Sequence, residues 1–389
     1  MKNDSLIQYR QKKVGFVLSG GVVRAAGWHL GVALALEEEG FSFVSTLGQS
    51  KVDITTFVGS SAGALVCVML ATGHGPKEII QAIFGDHPTI KKLNYHHMFD
   101  PRRPNIKTRK GLSFDPLKNF PFFTRSLLKP FYKTSGFFST EGLRKYLLKN
   151  FLKTDHFEEL KSDLFVVATQ LDHSRKVIFS KYNYPNTKHD STAVYYSGFP
   201  ISHATAASMS VPPFYSPYPI YNPLTKQVDY YIDGEIRETL SHHVAIDNGC
   251  DLIINSWTHT PYHYHDEIGS LVHYGIPSIL VQSFYLMVQK KIITERSNNE
   301  TARDLVNTLQ EFLRQEKINS KVIKEVTAIL EKKLSFKSHV DFIDIFPDHH
   351  DYKLFFTSFF SLDKQNLSNI LRAGYKATKL ALSKNVLHF

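Results

Sequence analysis

The chain has 389 residues, of which 42% are hydrophobic and 21% charged, a balance typical of a folded globular protein rather than a disordered one. Its two cysteines, Cys67 and Cys250, are too few for a disulfide framework or a zinc cluster and suit a reducing compartment. The formal net charge is +10, which suggests an anionic partner.

The N-terminal stretch MKNDSLIQYRQKK lacks the apolar core of a secretory signal. We expect no signal peptide and no membrane-spanning segment. The sequence therefore predicts a cytoplasmic protein that is attached, at most, to the surface of a membrane.

Strand and helix patterns alternate from the start of the chain. Val14–Ser19 is a short apolar run that ends in glycines and predicts a buried strand, and Ala25–Glu39 predicts a helix that stops before Gly40. Ile54–Gly59 predicts a second strand and Ala62–Thr72 a second helix. This alternation with short connections predicts a layered α/β fold with a parallel sheet.

A segment at about 88–138 is basic and rich in phenylalanine and proline. Between Asp100 and Ser135 there are nine Lys or Arg and two Asp, and the prolines are expected to break regular structure. The interleaved phenylalanines are Phe114, Phe120, Phe122, Phe123 and Phe131. This pattern suits an anionic membrane surface. The alternatives are a solvated loop whose phenylalanines pack inward and a nucleic-acid surface, and we expect no nucleic acid.

The remaining chain returns to helices and strands within one domain spanning 1–389. Ser139–Phe151 predicts a capped helix, and polar helices without breakers predict a helical insertion at about 281–337. The further predicted elements are strands at Leu164–Thr169, Lys176–Ser180, Val228–Ile232, Leu252–Ser256 and His339–Pro347, and a final helix at Leu362–Asn385.

The stretch FVGSSAGAL contains a G-x-S-x-G nucleophile elbow. Ser61 has Gly59 two residues before it and Gly63 two residues after it, whereas Ser60 does not fit this spacing. Such a serine lies on a tight turn between a strand and a helix, and the helix N-terminus points at the reacting carbon. Ser61 is therefore the candidate nucleophile.

A glycine loop at Ser19–Gly31 follows the first predicted strand. Backbone amides of Gly20, Gly21 and Val22 could form an oxyanion hole, and Arg24 could hold the loop or neutralise charge. A dinucleotide loop is the rival interpretation, but the spacing is not G-x-G-x-x-G.

Two sets of residues could activate Ser61. The order of an α/β-hydrolase triad favours His349 or His350 in FPDHHD, although such elbows normally lie deeper in the chain than residue 61. Asp233 in YYIDGE is the other candidate, because a desolvated carboxylate gains proton affinity.

Three motifs in order resemble the patatin-like phospholipase family: the loop SGGVVRAAGWHLGV, the elbow GSSAG and the Asp-Gly pair at Asp233. The stretch ISHATAASMSVPPFYSPY is similar to the family's segment before its acidic strand. LDKQNLSNILRAGYKATKLAL resembles its final helix. The similarity covers most of the chain, apart from the basic segment and the helical insertion.

The resemblance implies a three-layer α/β/α fold with a mainly parallel central sheet. It also implies hydrolysis of lipid acyl esters, of the phospholipase A or lysophospholipase type, by Ser61 as nucleophile and Asp233 as base, without a catalytic histidine. Gly20, Gly21, Val22 and Arg24 would occupy the family's oxyanion positions. The expected partners are a phospholipid or other acyl lipid and an anionic membrane surface.

Two positions depart from the family pattern. The family usually has a third glycine where this chain has Val22, and a β-branched residue resists positive φ. The family also prefers Gly or Ala where this chain has Glu235. The carboxylate of Glu235 could raise the proton affinity of Asp233 or narrow the substrate range.

Three functions therefore remain open at the level of the sequence. They are a Ser–Asp lipid hydrolase, a Ser-His-Asp esterase, and a catalytically impaired membrane-surface protein on the same fold. No cofactor and no metal are expected, because the histidines of Pro261–Glu267 and FPDHHD lack the spacing of a metal site. The sequence does not predict the oligomeric state.

Overall fold

The computed structural model describes residues 9–43, 52–101, 120–184, 193–223, 225–334 and 336–386, without the side chains of 128–133 and 385–386. Residues 102–119 of the basic segment, which include Phe114, lie outside these residues. So does most of the N-terminal stretch MKNDSLIQYRQKK.

The described residues form ten strands. They are β1 (Val14–Leu18), β2 (Phe41–Ser42), β3 (Val52–Ser60), β4 (Asp163–Gln170), β5 (Arg175–Phe179), β6 (Ala193–Tyr196), β7 (Tyr218–Asn222), β8 (Gln227–Asp233), β9 (Leu252–Ser256) and β10 (Asp341–Ile345). The main path of the sheet is β10-β9-β1-β3-β4-β5-β6. Six of the nine strand pairs are parallel; the antiparallel ones are β4–β5, β4–β8 and β7–β8.

Twelve α-helices are found in the described residues. They are α1 (Val22–Glu38), α2 (Ala62–Ala71), α3 (Pro76–Phe84), α4 (Tyr95–Met98), α5 (Phe122–Lys133), α6 (Glu141–Asn150), α7 (Ile201–Ser208), α8 (His242–Asp247), α9 (Gly275–Gln315), α10 (Ser320–Leu334), α11 (Tyr352–Phe356) and α12 (Lys364–Val386).

The helices cover both faces of the sheet. Along β1, Phe16 and Leu18 belong to the larger core, which contains residues of α1, α2 and α12. Val17, which points to the other face, packs with residues of α8 and with Ile292 of α9. This arrangement confirms the expected three-layer α/β/α fold with a mainly parallel central sheet.

The helical insertion predicted at about 281–337 corresponds to α9 and α10, and α9 begins earlier, at Gly275. Within the basic segment, the expectation that prolines break regular structure is wrong for Phe122–Lys133, which forms α5 after Pro121. Phe122 and Phe123 do not pack inward, because their exposed fractions are 88% and 78%.

One helix among the described residues bears on the expectation that the chain has no membrane-spanning segment, and it passes only the test of length and composition, which is weak evidence for such a segment. Leu271–Gln315 is long and apolar enough to cross a membrane by length and composition, and only 11% of its most apolar window is buried. Gln282 and several serines interrupt the apolar residues there, so the pattern resembled an ordinary polar helix in the sequence.

Candidate active site

The turn between β3 and α2 places Ser61 at the carboxyl edge of the sheet. Ser61 has φ 52° and ψ −123°, the strained backbone of an elbow. Gly63 is required at this turn, because a Cβ there would lie 2.5 Å from the carbonyl oxygens of Leu18 and Ser19. Gly59 lies near the end of β3 and pairs with Val166 of β4.

Strand β4 brings Asp233 close to Ser61. Ser60, the last residue of β3, pairs with Val167, and Asp233, the last residue of β8, pairs with the next residue, Ala168. The ends of β3 and β8 therefore meet on the same edge of β4. Gly234 follows directly, and a Cβ there would lie 2.3 Å from the Val167 carbonyl oxygen, so only glycine fits this junction.

The side chains of Ser61 and Asp233 are hydrogen-bonded and buried. Burial raises the pKa of the Asp233 carboxyl from 3.8 to about 7, against the opposing effects of the Ser61 hydroxyl and the Glu235 amide. Near neutral pH this carboxyl therefore gains and loses a proton readily, as a general base must.

Ser208 also supports the elbow, and the sequence analysis did not assign it a role. Its hydroxyl accepts a hydrogen bond from the Ser61 amide at 2.8 Å and donates to the Val167 carbonyl oxygen at 2.6 Å. The stretch that contains Ser208 was noted only for its resemblance to the family. Its contact with the elbow depends on long-range packing of α7 against β4, which no local pattern reveals.

The glycine loop begins α1 with an unusual backbone. Gly21 has φ 128° and Val22 has φ 59°, so this chain holds a β-branched residue in the left-handed region. The Gly20 amide donates to Glu235 Oε1 at 2.6 Å, whereas the amides of Gly21 and Val22 have no acceptor among the described residues. The amides of Gly21 and Val22 can therefore donate hydrogen bonds to a bound group at the N-terminus of α1.

Glu235 connects the glycine loop with the elbow. Its Oε1 accepts from the Gly20 amide and from the Ser60 hydroxyl, a short hydrogen bond. Burial, and then the neighbouring Asp233, raise the pKa of Glu235 well above its ordinary value. The raised pKa of Asp233 itself has burial as its cause.

Arg24 lies behind the glycine loop. Its buried guanidinium donates from Nη1 to the carbonyl oxygens of Leu354 and Phe355 and stacks 4.2 Å from the ring centroid of Phe359. Arg24 thus ties the loop to the segment around α11. Burial lowers its pKa from 12.5 to about 9.

His259 lies close to Glu235, although the sequence motifs do not predict a role for it. Its Nδ1 lies 3.8 Å from Glu235 Oε2, but burial lowers its pKa to about 3, so the ring is neutral. His259 follows β9, a strand that ends at the same edge of the sheet as β3, and that placement was the available signal. His349 and His350 are exposed, and His349 packs against His263.

An apolar pocket opens beside Ser61. Its free volume is about 50 Å³. Its walls include Val22, Leu65, Met69, Leu143, Met209 and Leu362. A lining of this composition favours hydrocarbon over polar groups, because it offers almost no polar partner.

Among the described residues, no group of three or more His, Cys, Asp or Glu side chains could hold a metal ion. The histidines of Pro261–Glu267 and FPDHHD do approach each other, since the rings of His263 and His349 are 5.1 Å apart.

A family model for patatin-like phospholipases matches residues 16–246, which is more than half of the chain. The chain belongs to the patatin-like phospholipase family. The family supports hydrolysis of lipid acyl esters as its activity, with lipids as substrates. The matched range of this patatin-like protein includes Ser61, Asp233 and the glycine loop, and it ends before α9. No curated protein matches the chain.

Proposed function

We propose that this patatin-like protein hydrolyses acyl esters of phospholipids or lysophospholipids through an acyl-enzyme on Ser61, with Asp233 as the general base. The observation that carries the proposal is the hydrogen bond between Ser61 and Asp233 at the wall of an apolar pocket. A hydroxyl in contact with a desolvated carboxyl of raised pKa has the activation that a nucleophile needs.

In the first half of the reaction, Ser61 Oγ attacks the ester carbonyl carbon as Asp233 takes the hydroxyl proton. The tetrahedral oxyanion accepts hydrogen bonds from the Gly21 and Val22 amides, where the N-terminus of α1 favours negative charge. The carbon–oxygen ester bond then breaks, and the leaving alcohol takes the proton from Asp233. The acyl chain stays in the apolar pocket, joined to Ser61.

In the second half, Asp233 takes a proton from water as the water oxygen attacks the acyl carbon. Collapse of the second tetrahedral intermediate breaks the bond to Ser61 Oγ, which regains the proton from Asp233. The products are a free fatty acid and the alcohol portion of the lipid. We place this reaction at the cytoplasmic surface of a membrane, where such lipids are found.

The test is hydrolysis of a panel of phospholipids and lysophospholipids without added metal by the wild type, Ser61→Ala and Asp233→Asn. Release of fatty acid by the wild type and its loss in both variants are expected. The double variant His349→Ala/His350→Ala is the control, because both histidines are exposed and make no contact with Ser61 among the described contacts. A large loss of turnover in that control would favour a histidine triad, and unchanged turnover in Ser61→Ala would refute the proposal.

Val22 favours a second candidate, a catalytically impaired membrane-surface protein. Its φ of 59° is strained for a β-branched side chain, and it lies in the loop that would bind the oxyanion. Labelling of Ser61 by a fluorophosphonate probe separates the two candidates. Labelling supports the hydrolase, and binding to lipid vesicles without labelling or hydrolysis supports the impaired protein.

A further inference from the structure

The first third of α9 carries apolar side chains that face solvent. Val272, just before the helix, is 71% exposed, and Ile276, Leu280 and Met287 within it are 73%, 63% and 61% exposed. Helical spacing places the last three on one face, together with Ile279. We call these five residues the α9 apolar face.

The opposite side of this helix is fixed to the domain. Gln282 accepts a hydrogen bond from the Tyr262 amide at 2.8 Å and donates one to the Tyr262 carbonyl oxygen at 2.9 Å. Tyr285 is buried against His259 and Phe355. The helix therefore cannot turn its apolar face inward, and it cannot leave the domain to cross a bilayer, without losing these contacts.

The chain segment that carries the α9 apolar face, 268–294, has charges of one sign. Between Glu267 and Glu295 the chain has no Asp or Glu, and its only Lys or Arg residues are Lys290 and Lys291, both exposed. Lys290 continues the stripe of Ile276, Leu280 and Met287 at helical spacing. Cations beside an apolar face suit an anionic lipid surface, whereas lysine is depleted in protein–protein interfaces.

A series of contacts connects the helix that carries the α9 apolar face with the region of the pocket beside Ser61. Tyr285, on the inner side of the helix, lies 5.5 Å from the Arg24 guanidinium behind the glycine loop. Tyr274, which precedes the helix, packs against Phe356, with ring centroids 4.8 Å apart. The chain then continues from Phe356 to Leu362, which lines the pocket.

We propose that the α9 apolar face docks the protein on an anionic lipid bilayer, with the helix lying in the plane of the interface and not across it. The apolar side chains enter the boundary between headgroups and acyl chains, and Lys290 and Lys291 contact the anionic headgroups. This inference rests on the proposed function for the choice of lipid as the occupant. The face lies outside the range matched by the family, 16–246.

The experiment measures binding to vesicles of phosphatidylglycerol and phosphatidylcholine by co-sedimentation. All proteins carry Ser61→Ala, so that the vesicles are not consumed. Adding Ile276→Glu and Leu280→Glu together is expected to weaken partitioning onto the vesicles at least about tenfold. Two apolar side chains that would enter the bilayer are lost, and negative charge is placed against anionic lipid. A carbonate wash at high pH should release the bound protein, as it does for proteins that do not span the bilayer.

The matched control is Val322→Glu with Ile329→Glu, two apolar residues of α10 that are 44% and 62% exposed. It should bind as the parent does. Equal binding by both double variants, no vesicle binding by the parent, or resistance to the carbonate wash would overturn the proposal. A dimer that becomes a monomer in the α9 variant, with unchanged vesicle binding, would assign the face to a second copy and equally overturn it.

The proposed function is tested separately, with the same α9 substitutions in the active chain. Turnover of a water-soluble short-chain ester should stay near that of the wild type, while hydrolysis of vesicle lipid falls with binding. If the α9 variant loses vesicle binding but still turns over the soluble ester, the substitutions have affected docking and not the catalytic reaction. Absence of any turnover in the wild type identifies failure of the proposed hydrolase.

Discussion

Replacement of Asp233 by Asn is expected to stabilise the folded protein at alkaline pH while it removes turnover. Burial raises the pKa of Asp233 from 3.8 to about 7. Because the folded-state pKa is the higher one, the folded state binds the proton more tightly than the unfolded chain. The stability that this group contributes is therefore complete below pH 3.8 and is lost as the pH rises to about 7. Each pH unit in that window costs about 1.4 kcal/mol, or about 4 kcal/mol in all.

Asparagine has the same shape without the charge, and its oxygen can still accept the Glu235 amide that now bonds Asp233 Oδ1 at 2.9 Å. Urea unfolding of both proteins at about pH 5 and about pH 8.5 measures the effect. Between these conditions the wild type should lose about 3 kcal/mol relative to the variant. The surface variant Asp266→Asn is the control and should follow the wild type. A stability difference between Asp233→Asn and the wild type that is the same at both pH values would refute the burial argument.

Three further outcomes follow from the site. The value of kcat/KM for a soluble ester should rise with pH through about 7 and then level off, as Asp233 loses its proton. Val22→Gly should raise the free energy of unfolding by about 1 kcal/mol, because glycine adopts the φ of 59° without strain. Glu235→Gln should retain both stability and turnover, since an amide oxygen can accept from Gly20 and Ser60. Glu235→Ala should lose about 1–3 kcal/mol for each donor left unpaired, measured by urea unfolding.

Each of these outcomes has a result that contradicts it. A midpoint near pH 4 in the rate profile would mean that Asp233 is not the titrating base or is not desolvated. Val22→Ala keeps a Cβ in the left-handed region, so a gain equal to that of Val22→Gly would contradict the strain argument. A loss in Glu235→Gln as large as in Glu235→Ala would show that the site needs a charged carboxylate at this position.

The sequence was sufficient for the fold class and for the local motifs. The G-x-S-x-G spacing identified Ser61 rather than Ser60 as the elbow residue, because that turn depends on the residues two before and two after the serine. Alternation of apolar runs and helices similarly predicted the layered sheet. Val22 was recognised as unusual because its side chain conflicts with the backbone that a glycine normally provides, and its φ is indeed positive.

Contacts between distant segments cannot be predicted from such local patterns. Neither the hydrogen bond from the Gly20 amide to Glu235 nor that from the Ser61 amide to the Ser208 hydroxyl has a local signal, since each depends on how strands and helices pack. The α9 apolar face was missed for a different reason. Ser278 and Gln282 interrupt the run and give it the appearance of a polar helix, although these two residues lie on the opposite side of the helix from Ile276, Leu280 and Met287.

The meeting of β3 and β8 on one edge of β4 has a consequence for how this site tolerates change. Val167 pairs with Ser60 and Ala168 pairs with Asp233, and the two are adjacent in β4. The distance between Ser61 and Asp233 is therefore set by β4, whatever the length of chain between them. Insertions in the connecting loops would therefore leave the distance between Ser61 and Asp233 unchanged. Deletion of a single residue within β4 would shift Asp233 relative to Ser61 by about 3.3 Å and would turn its side chain to the opposite face of the sheet. The spacing of Ser61 and Asp233 therefore depends on the register of this short strand and not on the length of the loops between them.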